Sequence, residues 1–362
     1  MPARFYKKFG NRVIKDIPAE KLHTHFIAEL KAWLQIQLNR NAEDVYFFRN
    51  KLFQEKIPLK IIQKADIVIG FDTSSWRLIE RCKKLKKKII IDVTTPHPIT
   101  NQLITNKLRK DYPLWSLNIM EKKESLLRIE QMELEDADAI VVASTFTRKT
   151  LIDNGVAGDK IYVNPYGIDL HHFKEKYSYN NKRSIRLLFV GSLNARKGVA
   201  FLLNTFNSMN ANHLLLTFAG YNGAELNDQL TKNSYTNISV LGKILHDEMP
   251  SLFLKHDVFV FPSFFDGFGL VILEAMACGL PVITTSATGG PDIIEHGKEG
   301  FIIEPGNEEQ LKKAIQFFVD HPQQIEIMGR AARRKAEQYT WDAYGERWVE
   351  IIEELSKVET GV

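Results

Sequence analysis

The second half of the chain alternates short apolar runs with amphipathic patterns of helical period. Each run is rich in β-branched and aromatic residues, and polar segments with helical spacing separate them. The runs are IRLLFV (185–190), HLLLTFA (213–219), ISVL (238–241), DVFVF (257–261), PVITT (281–285) and GFIIE (300–304). Strands that are apolar on both faces and alternate with helices predict a doubly wound parallel sheet.

The first half repeats this alternation. Its predicted strands are DVYFFR (44–49), ADIVIG (65–70), KIIIDV (88–93), AIVVAS (139–144) and KIYVNP (160–165), and a charged helix is predicted over 121–136. The polar stretch YSYNNKRS (177–184) lacks periodicity and reads as a linker. The predicted fold class is therefore α/β, with two Rossmann-like domains over 1–176 and 184–336 and a C-terminal helix over 337–362.

Composition adds an asymmetry of charge. The net charge of the 362 residues is +4, but residues 1–180 carry 31 Lys and Arg against 22 Asp and Glu. A basic half suits anionic ligands or an anionic membrane surface. The polar start MPARFYKKFG and the lack of a long apolar run predict a cytoplasmic protein, and two distant cysteines, Cys82 and Cys278, argue against a disulfide framework or a zinc site.

One carboxylate stands out in the stretch FDGFGLVILEAMACGLPVITT (265–285). Glu274 falls in a short helix whose other side chains are apolar, and burying it without a partner would cost several kcal/mol. The partner is either a backbone N–H or a lysine, or else a diol such as a ribose. Gly267 and Gly269 let a ligand approach the helix N-terminus, where phosphate is favoured. Asp266 can accept from other hydroxyls of that ligand.

A second motif, FVGSLNARKG (189–198), runs from a strand through Gly191 to two cations. Arg196 and Lys197 then lie at the carboxyl edge of the sheet, the usual crevice for ligands in open α/β sheets. There they would face a diphosphate; the alternative is a solvated cationic loop.

Together these motifs resemble the retaining GT-B glycosyltransferases of the group 1 family. The resemblance covers about 135 to 350 and includes AIVVASTFTRKTLIDNGV, KIYVNPYGIDLHHF, VLGKI (240–244) and GGPDIIEHGKEGFIIEPGN. It implies that Glu274 holds the donor ribose and that Asp266 with the backbone of Gly267, Phe268, Gly269 and Leu270 binds the donor sugar. It also implies that Arg196 and Lys197 neutralise the diphosphate, beside a base flanked by Gly242, Lys243 and Ile244. The first acid of the family's motif is usually Glu; here it is Asp266.

In the first half, the resemblance places His97, in KIIIDVTTPHP, beside the reacting sugar. The alternative is a turn histidine held between two prolines. GFDTSSW (70–76) reads either as the rim of the site or as a plain turn. The family's opening strand, Gly-rich loop and helix have no counterpart in RFYKKFGNRVIKDI, so this part is expected to be missing or modified.

Other signals are set aside. Asp136 and Asp138 match a metal-binding Asp-x-Asp pattern but precede a strand at a structural position, and His171–His172 lack a second ligand cluster. No metal and no cofactor are therefore expected. The absence of G-x-G-x-x-G after a strand argues against an NAD enzyme, and no nucleic-acid signature is present.

The resemblance implies metal-independent transfer of a sugar from a nucleotide diphosphate donor to an acceptor, with retention of configuration, in polysaccharide or glycolipid biosynthesis. Two alternatives stay open: a catalytically silent nucleotide-sugar binding subunit and a nucleotide-sugar epimerase of the same fold. The sequence names neither the base, the sugar nor the acceptor, which can be a glycan, a lipid or a small molecule.

Overall fold

The described residues that precede the first strand lie mostly in helices. The structure, a computed structural model, describes residues 17–18, 21, 26–38, 41–117, 119, 122–179, 184–209, 213–221 and 236–357. By their contacts the residues divide into units 1–64 and 65–362. The first unit holds α1 (Phe26–Gln37), α2 (Ala42–Lys56) and α3 (Leu59–Lys64). The opening segment RFYKKFGNRVIKDI (4–17) lies outside the described residues except for its last residue.

The strand predicted over 44–49 is wrong, because these residues belong to α2. Asn41 caps this helix, and its side chain accepts from the backbone N–H groups of Glu43 and Asp44. The two acidic side chains in the first turn, Glu43 and Asp44, interact favourably with the helix dipole. These helix-start signals outweigh the β preference of Val45, Tyr46 and the two following phenylalanines.

The first sheet of the second unit is parallel, in the order β1-β2-β3-β4. Of its two central strands, β2 is buried from Ile89 onward, with Ile89, Ile90 and Ile91 all at 0% exposure, as a sheet covered on both faces requires. Its strands and helices are β1 (Ile67–Phe71), α4 (Trp76–Lys84), β2 (Lys88–Val93), α5 (Pro98–Asp111), α6 (Glu124–Asp136), β3 (Ala139–Val142), α7 (Thr145–Asp153) and β4 (Ile161–Val163).

The second sheet is also parallel, in the order β10-β9-β8-β5-β6-β7. The strand order reverses between β5 and β8, which makes their carboxyl ends the switch point where such sheets bind ligands. Its strands are β5 (Ile185–Val190), β6 (Leu214–Ala219), β7 (Ile238–Val240), β8 (Val258–Phe261), β9 (Val282–Thr285) and β10 (Gly300–Ile303). Its helices are α8 (Val199–Ser208), α9 (Met249–Leu254), α10 (Leu270–Ala277), α11 (Gly290–Ile293), α12 (Glu308–Asp320) and α13 (Gln323–Ala336). The predicted α/β class with two parallel sheets is confirmed.

The last helix, α14 (Trp341–Lys357), packs on the first sheet. Its Ile351 is buried with Ile90, Ala139 and Val141, and Ile168 pairs with Thr340 where the chain crosses between the sheets. Both sheets fall within the second unit, whereas the predicted boundaries divide them; those boundaries stay a prediction. Among the described helices, none combines the length and the apolar character that crossing a bilayer demands.

Candidate functional site

Glu274 lies in the second turn of α10, where the sequence predicts it. The helix starts after Gly269, whose φ of 84° is left-handed and therefore suits glycine. Glu274 is only 8% exposed, and its helix neighbours Leu273 and Ala275 are fully buried. The short helix thus carries a carboxylate into an apolar environment.

Glu274 faces a histidine rather than a lysine or an arginine. Its Oε1 lies 3.8 Å from Nε2 of His246, and within the described residues no lysine or arginine pairs with it. Burial raises the pKa of Glu274 to about 7, and the nearby charge of His172 acts in the opposite direction. Of the alternatives predicted for this carboxylate, neutralisation by a lysine is not what the structure shows.

The loop after β5 places Arg196 and Lys197 against Asp266. Asn194 holds the loop, because its Oδ1 accepts from the backbone N–H of Lys197 at 3.1 Å. The Lys197 ammonium forms an ion pair with Asp266, and Nη1 of Arg196 lies 4.0 Å from the same carboxylate oxygen. Burial lowers the pKa of Lys197, which Asp266 opposes. Lys197, predicted to bind the phosphates, therefore contacts Asp266, predicted to bind the sugar.

Most of the predicted site residues line one cavity of about 500 Å³, here called cavity A. It opens at the carboxyl ends of β5 and β8, against the N-terminus of α10. The predicted residues that line it are Gly191, Arg196, Lys197, Asp266, Phe268, Gly269, Leu270 and Glu274.

A second cavity of about 330 Å³, here called cavity B, lies between α5 and the two loops of the second sheet that carry Arg196 and Asp266. Gly267 lines this cavity rather than cavity A. Arg196 and Asp266 line both. The two cavities therefore meet at these two side chains.

The structure does not bring His97 to either cavity. Its ring caps α5, with Nδ1 accepting from the backbone N–H of Ile99 at 3.3 Å, and the backbone N–H of His97 donates to Oγ1 of Thr150. Burial lowers the pKa of this imidazole. Its position is that of the turn histidine between prolines; the catalytic role stays a prediction.

The segment Gly242, Lys243 and Ile244 also lies outside the lining of cavity A. The carbonyl of Gly242 accepts from the N–H of Gly220 at 2.7 Å, which ties the ends of β6 and β7 together. The 3-10 turn that follows carries His246, so the segment reaches the site through the contact of His246 with Glu274.

Sequence reasoning missed Tyr166, Thr94 and Met249, which line cavity A. Tyr166 packs edge-on against Phe268, with ring centroids 5.4 Å apart. Its position shortly after β4, at the carboxyl edge of the first sheet, was the available signal. Thr94 connects the predicted rim to the cavity, since its N–H and hydroxyl donate to the carboxylate of Asp72.

The carboxylates set aside as metal ligands have structural partners. Asp136 pairs with Lys83, and Oδ2 of Asp138 accepts from the N–H of Ile89 at 2.8 Å. The sequence predicts that His172 lacks a second cluster of possible metal ligands. In the structure His246 and Asp247 lie beside it, and the possible ligand atoms of the three residues are all within 4.8 Å of one another. The two imidazoles are stacked at 5°, and Nε2 of His172 lies 3.2 Å from the carbonyl of His246.

Residues 173–335 match the family model described as glycosyl transferases group 1. An uncharacterized 41.2 kDa protein in the cps region of Klebsiella pneumoniae is 27% identical over 70% of this chain and 66% of its own length. The Arabidopsis thaliana sulfoquinovosyl transferase SQD2 is 30% identical over 57% of this chain and 42% of its own length. The aligned parts thus span less than two thirds of these two relatives.

Solved structures share the fold. Sucrose-phosphate synthase of Thermosynechococcus elongatus has a TM-score of 0.67 at 20% identity, covering 94% of this chain and 81% of its own. Anabaena HepE in complex with UDP and glucose has a TM-score of 0.62 at 18% identity, over 84% and 80%. The chain therefore has a GT-B fold.

Proposed function

Over residues 173–335 this chain belongs to the group 1 glycosyl transferases, and on that premise we propose that it transfers a sugar from a nucleotide diphosphate donor to an acceptor. The proposal includes retention of anomeric configuration without a metal. One observation carries it: cavities A and B meet at Arg196 and Asp266. A donor in one cavity and an acceptor in the other would react at that junction.

The charges of cavity A support a nucleotide diphosphate as its ligand. Breaking the glycosidic C–O bond builds negative charge on the diphosphate, and Arg196, Lys197 and the N-terminus of α10 are held in advance to stabilise it. Glu274 would accept from the two ribose hydroxyls, and Asp266 with the backbone of 267–270 would hold the sugar. Lys197 would exchange part of its contact with Asp266 for phosphate oxygens when the donor binds.

The names of similar proteins suggest which substrates to test first. HepE holds UDP-glucose in one of its structures, and a Staphylococcus aureus relative, 27% identical over 79% of this chain, is a capsular polysaccharide biosynthesis glycosyltransferase. We propose a UDP-sugar as the first donor to test and a glycan or lipid-linked glycan as acceptor, reached from the cytoplasmic side of an anionic membrane.

The test is a thermal-shift and calorimetric series with UDP, GDP and ADP, since a bound ligand raises the melting temperature by mass action. We expect one nucleotide to bind preferentially and its sugar conjugates to be consumed when acceptor extracts are added. NMR of the product then gives the anomeric configuration, and turnover in EDTA tests metal independence. If none of the three nucleotides binds, the proposal is wrong.

A further inference from the structure

Cavity B has a cationic and amide wall supplied by one face of α5. The residues of α5 that line it recur at helical spacing and are Pro98, Asn101, Gln102, Thr105, Asn106 and Arg109. At about 1.5 Å per residue, Asn101 and Arg109 are roughly 12 Å apart along the axis. The face therefore offers a row of hydrogen-bonding groups that ends in a guanidinium.

The guanidinium of Arg109 is held in place. Its Nη2 donates to the carbonyl of Ile119 at 2.7 Å and its Nη1 to Oδ1 of Asn106 at 3.3 Å. These two bonds, each to a neutral oxygen, orient the fork. A fork fixed in this way binds oxyanions with two parallel hydrogen bonds.

The cavity lining carries more positive than negative charge. Lys122 and Arg196 line it together with Arg109, and Asp266 is the one acidic residue among the described lining residues. Asp266 is already paired with Lys197, whereas Lys122 lies 2.6 Å from Glu130. A dianionic ligand would be stabilised here, and Lys122 could turn from Glu130 towards it.

We propose that the acceptor of this enzyme carries a phosphate monoester, bound in cavity B by Arg109 and Lys122. A phosphate monoester has a charge of about −1.5 to −2 at neutral pH and three terminal oxygens, which suits one fork and one ammonium. The amides of Asn101, Gln102 and Asn106 would bind the hydroxyls of the attached polyol or sugar. The inference rests on the proposed function, since it names the acceptor class of that transferase.

The experiment compares glucose 6-phosphate with glucose by calorimetry, with and without saturating UDP. We expect glucose 6-phosphate to bind and glucose to bind at least tenfold more weakly, because charge-assisted bonds to phosphate are lost. Vesicles of phosphatidylcholine with and without phosphatidic acid test whether the phosphate belongs to a lipid headgroup. If neither the soluble phosphate nor the phosphatidic acid vesicles bind more tightly than their uncharged counterparts, the inference is wrong.

Substitutions test whether Arg109 and Lys122 bind the phosphate. Arg109→Gln and Lys122→Gln should each weaken binding of the phosphate probe about tenfold and leave UDP affinity unchanged, and Arg109→Lys should restore part of the loss. Lys110→Gln is the matched control, because Lys110 is exposed on the same helix and does not line the cavity. An equal loss in Lys110→Gln would overturn the assignment. Failure of the proposed function is distinguishable from failure of this inference, since it shows as absent binding of UDP, GDP and ADP alike to the unmodified protein.

Discussion

Nε2 of His246 lies 3.8 Å from Oε1 of Glu274 and joins the turn after β7 to helix α10. The buried carboxylate therefore faces an imidazole rather than a lysine or an arginine. A ligand that offers two hydroxyl donors would satisfy Glu274 better than this histidine does.

Replacing Glu274 tests that idea directly. Glu274→Ala should lower donor affinity and turnover by orders of magnitude, because the ribose hydroxyls lose their acceptor. The melting temperature should be unchanged or higher, since a buried carboxyl is removed. Calorimetry with UDP and thermal melting measure the two effects. Near-normal transfer by this variant would remove ribose binding from the proposed role of Glu274.

The pH dependence of binding follows from the pKa of about 7 for Glu274. A raised pKa favours the protonated form, so this group's contribution to stability is present at low pH and is lost as the pH rises through 7. Donor binding should change in the opposite direction, because the carboxylate is the better acceptor. We expect the affinity for UDP-glucose to rise about tenfold from roughly pH 6 to 8.

The control for this pH series is Glu274→Gln, which should bind weakly with little change across the same range. This variant is needed because burial also raises the pKa of Glu133 to about 7 and that of Asp92 to about 6. If the pH dependence survives in Glu274→Gln, another group causes it.

The cations of cavity A should be required for diphosphate binding. Charge-assisted hydrogen bonds contribute roughly 1.5 to 3 kcal/mol each, so Arg196→Ala with Lys197→Ala should weaken UDP binding about a hundredfold or more. Calorimetry measures this, and Lys255→Ala, an exposed cation outside the cavity, is the control. Unchanged affinity in the double variant would place the phosphates elsewhere.

His97 can be tested with a pair of substitutions. His97→Ala removes the cap of α5 and should cost about 1 kcal/mol of stability, whereas His97→Asn keeps a good capping group. We expect His97→Asn to melt close to the unmodified protein and to keep its turnover. Loss of turnover in His97→Asn at normal stability would instead support the catalytic role that the resemblance implies.

Gly267 lies where the two sheets' loops touch. A Cβ atom there would overlap the carbonyl oxygen of Thr94, and the carbonyl of Gly267 accepts from Oγ of Ser144 at 2.5 Å. Gly267→Ala should lower both the melting temperature and turnover. Gly345→Ala, where a Cβ meets nothing within 4 Å, should leave turnover unchanged and stabilise α14 by up to about 1 kcal/mol.

Some features of the structure follow from local sequence patterns, whereas contacts between distant segments do not. The strands around 185–190 and 257–261 are continuous apolar runs, and Glu274 is the one acid in its helix, so both follow from local patterns. The contact of His246 with Glu274 does not, because it depends on how β7 and α10 are brought together across the sheet. The pairing of Lys197 with Asp266, 69 residues apart, was hidden for a related reason: charge types alone do not tell whether an acid and a base bind each other or a ligand.

The crossing of α14 back to the first sheet constrains how the two sheets can move apart. Ile168 and Thr340 pair where two segments of the chain pass between the sheets side by side, and Nε of Arg347 donates to Oδ1 of Asn164 at 2.7 Å in the same region. Two adjacent covalent connections resist twisting of one sheet relative to the other. A bend about this pair of segments would separate Gly267 from Thr94 and expose both cavities to solvent together.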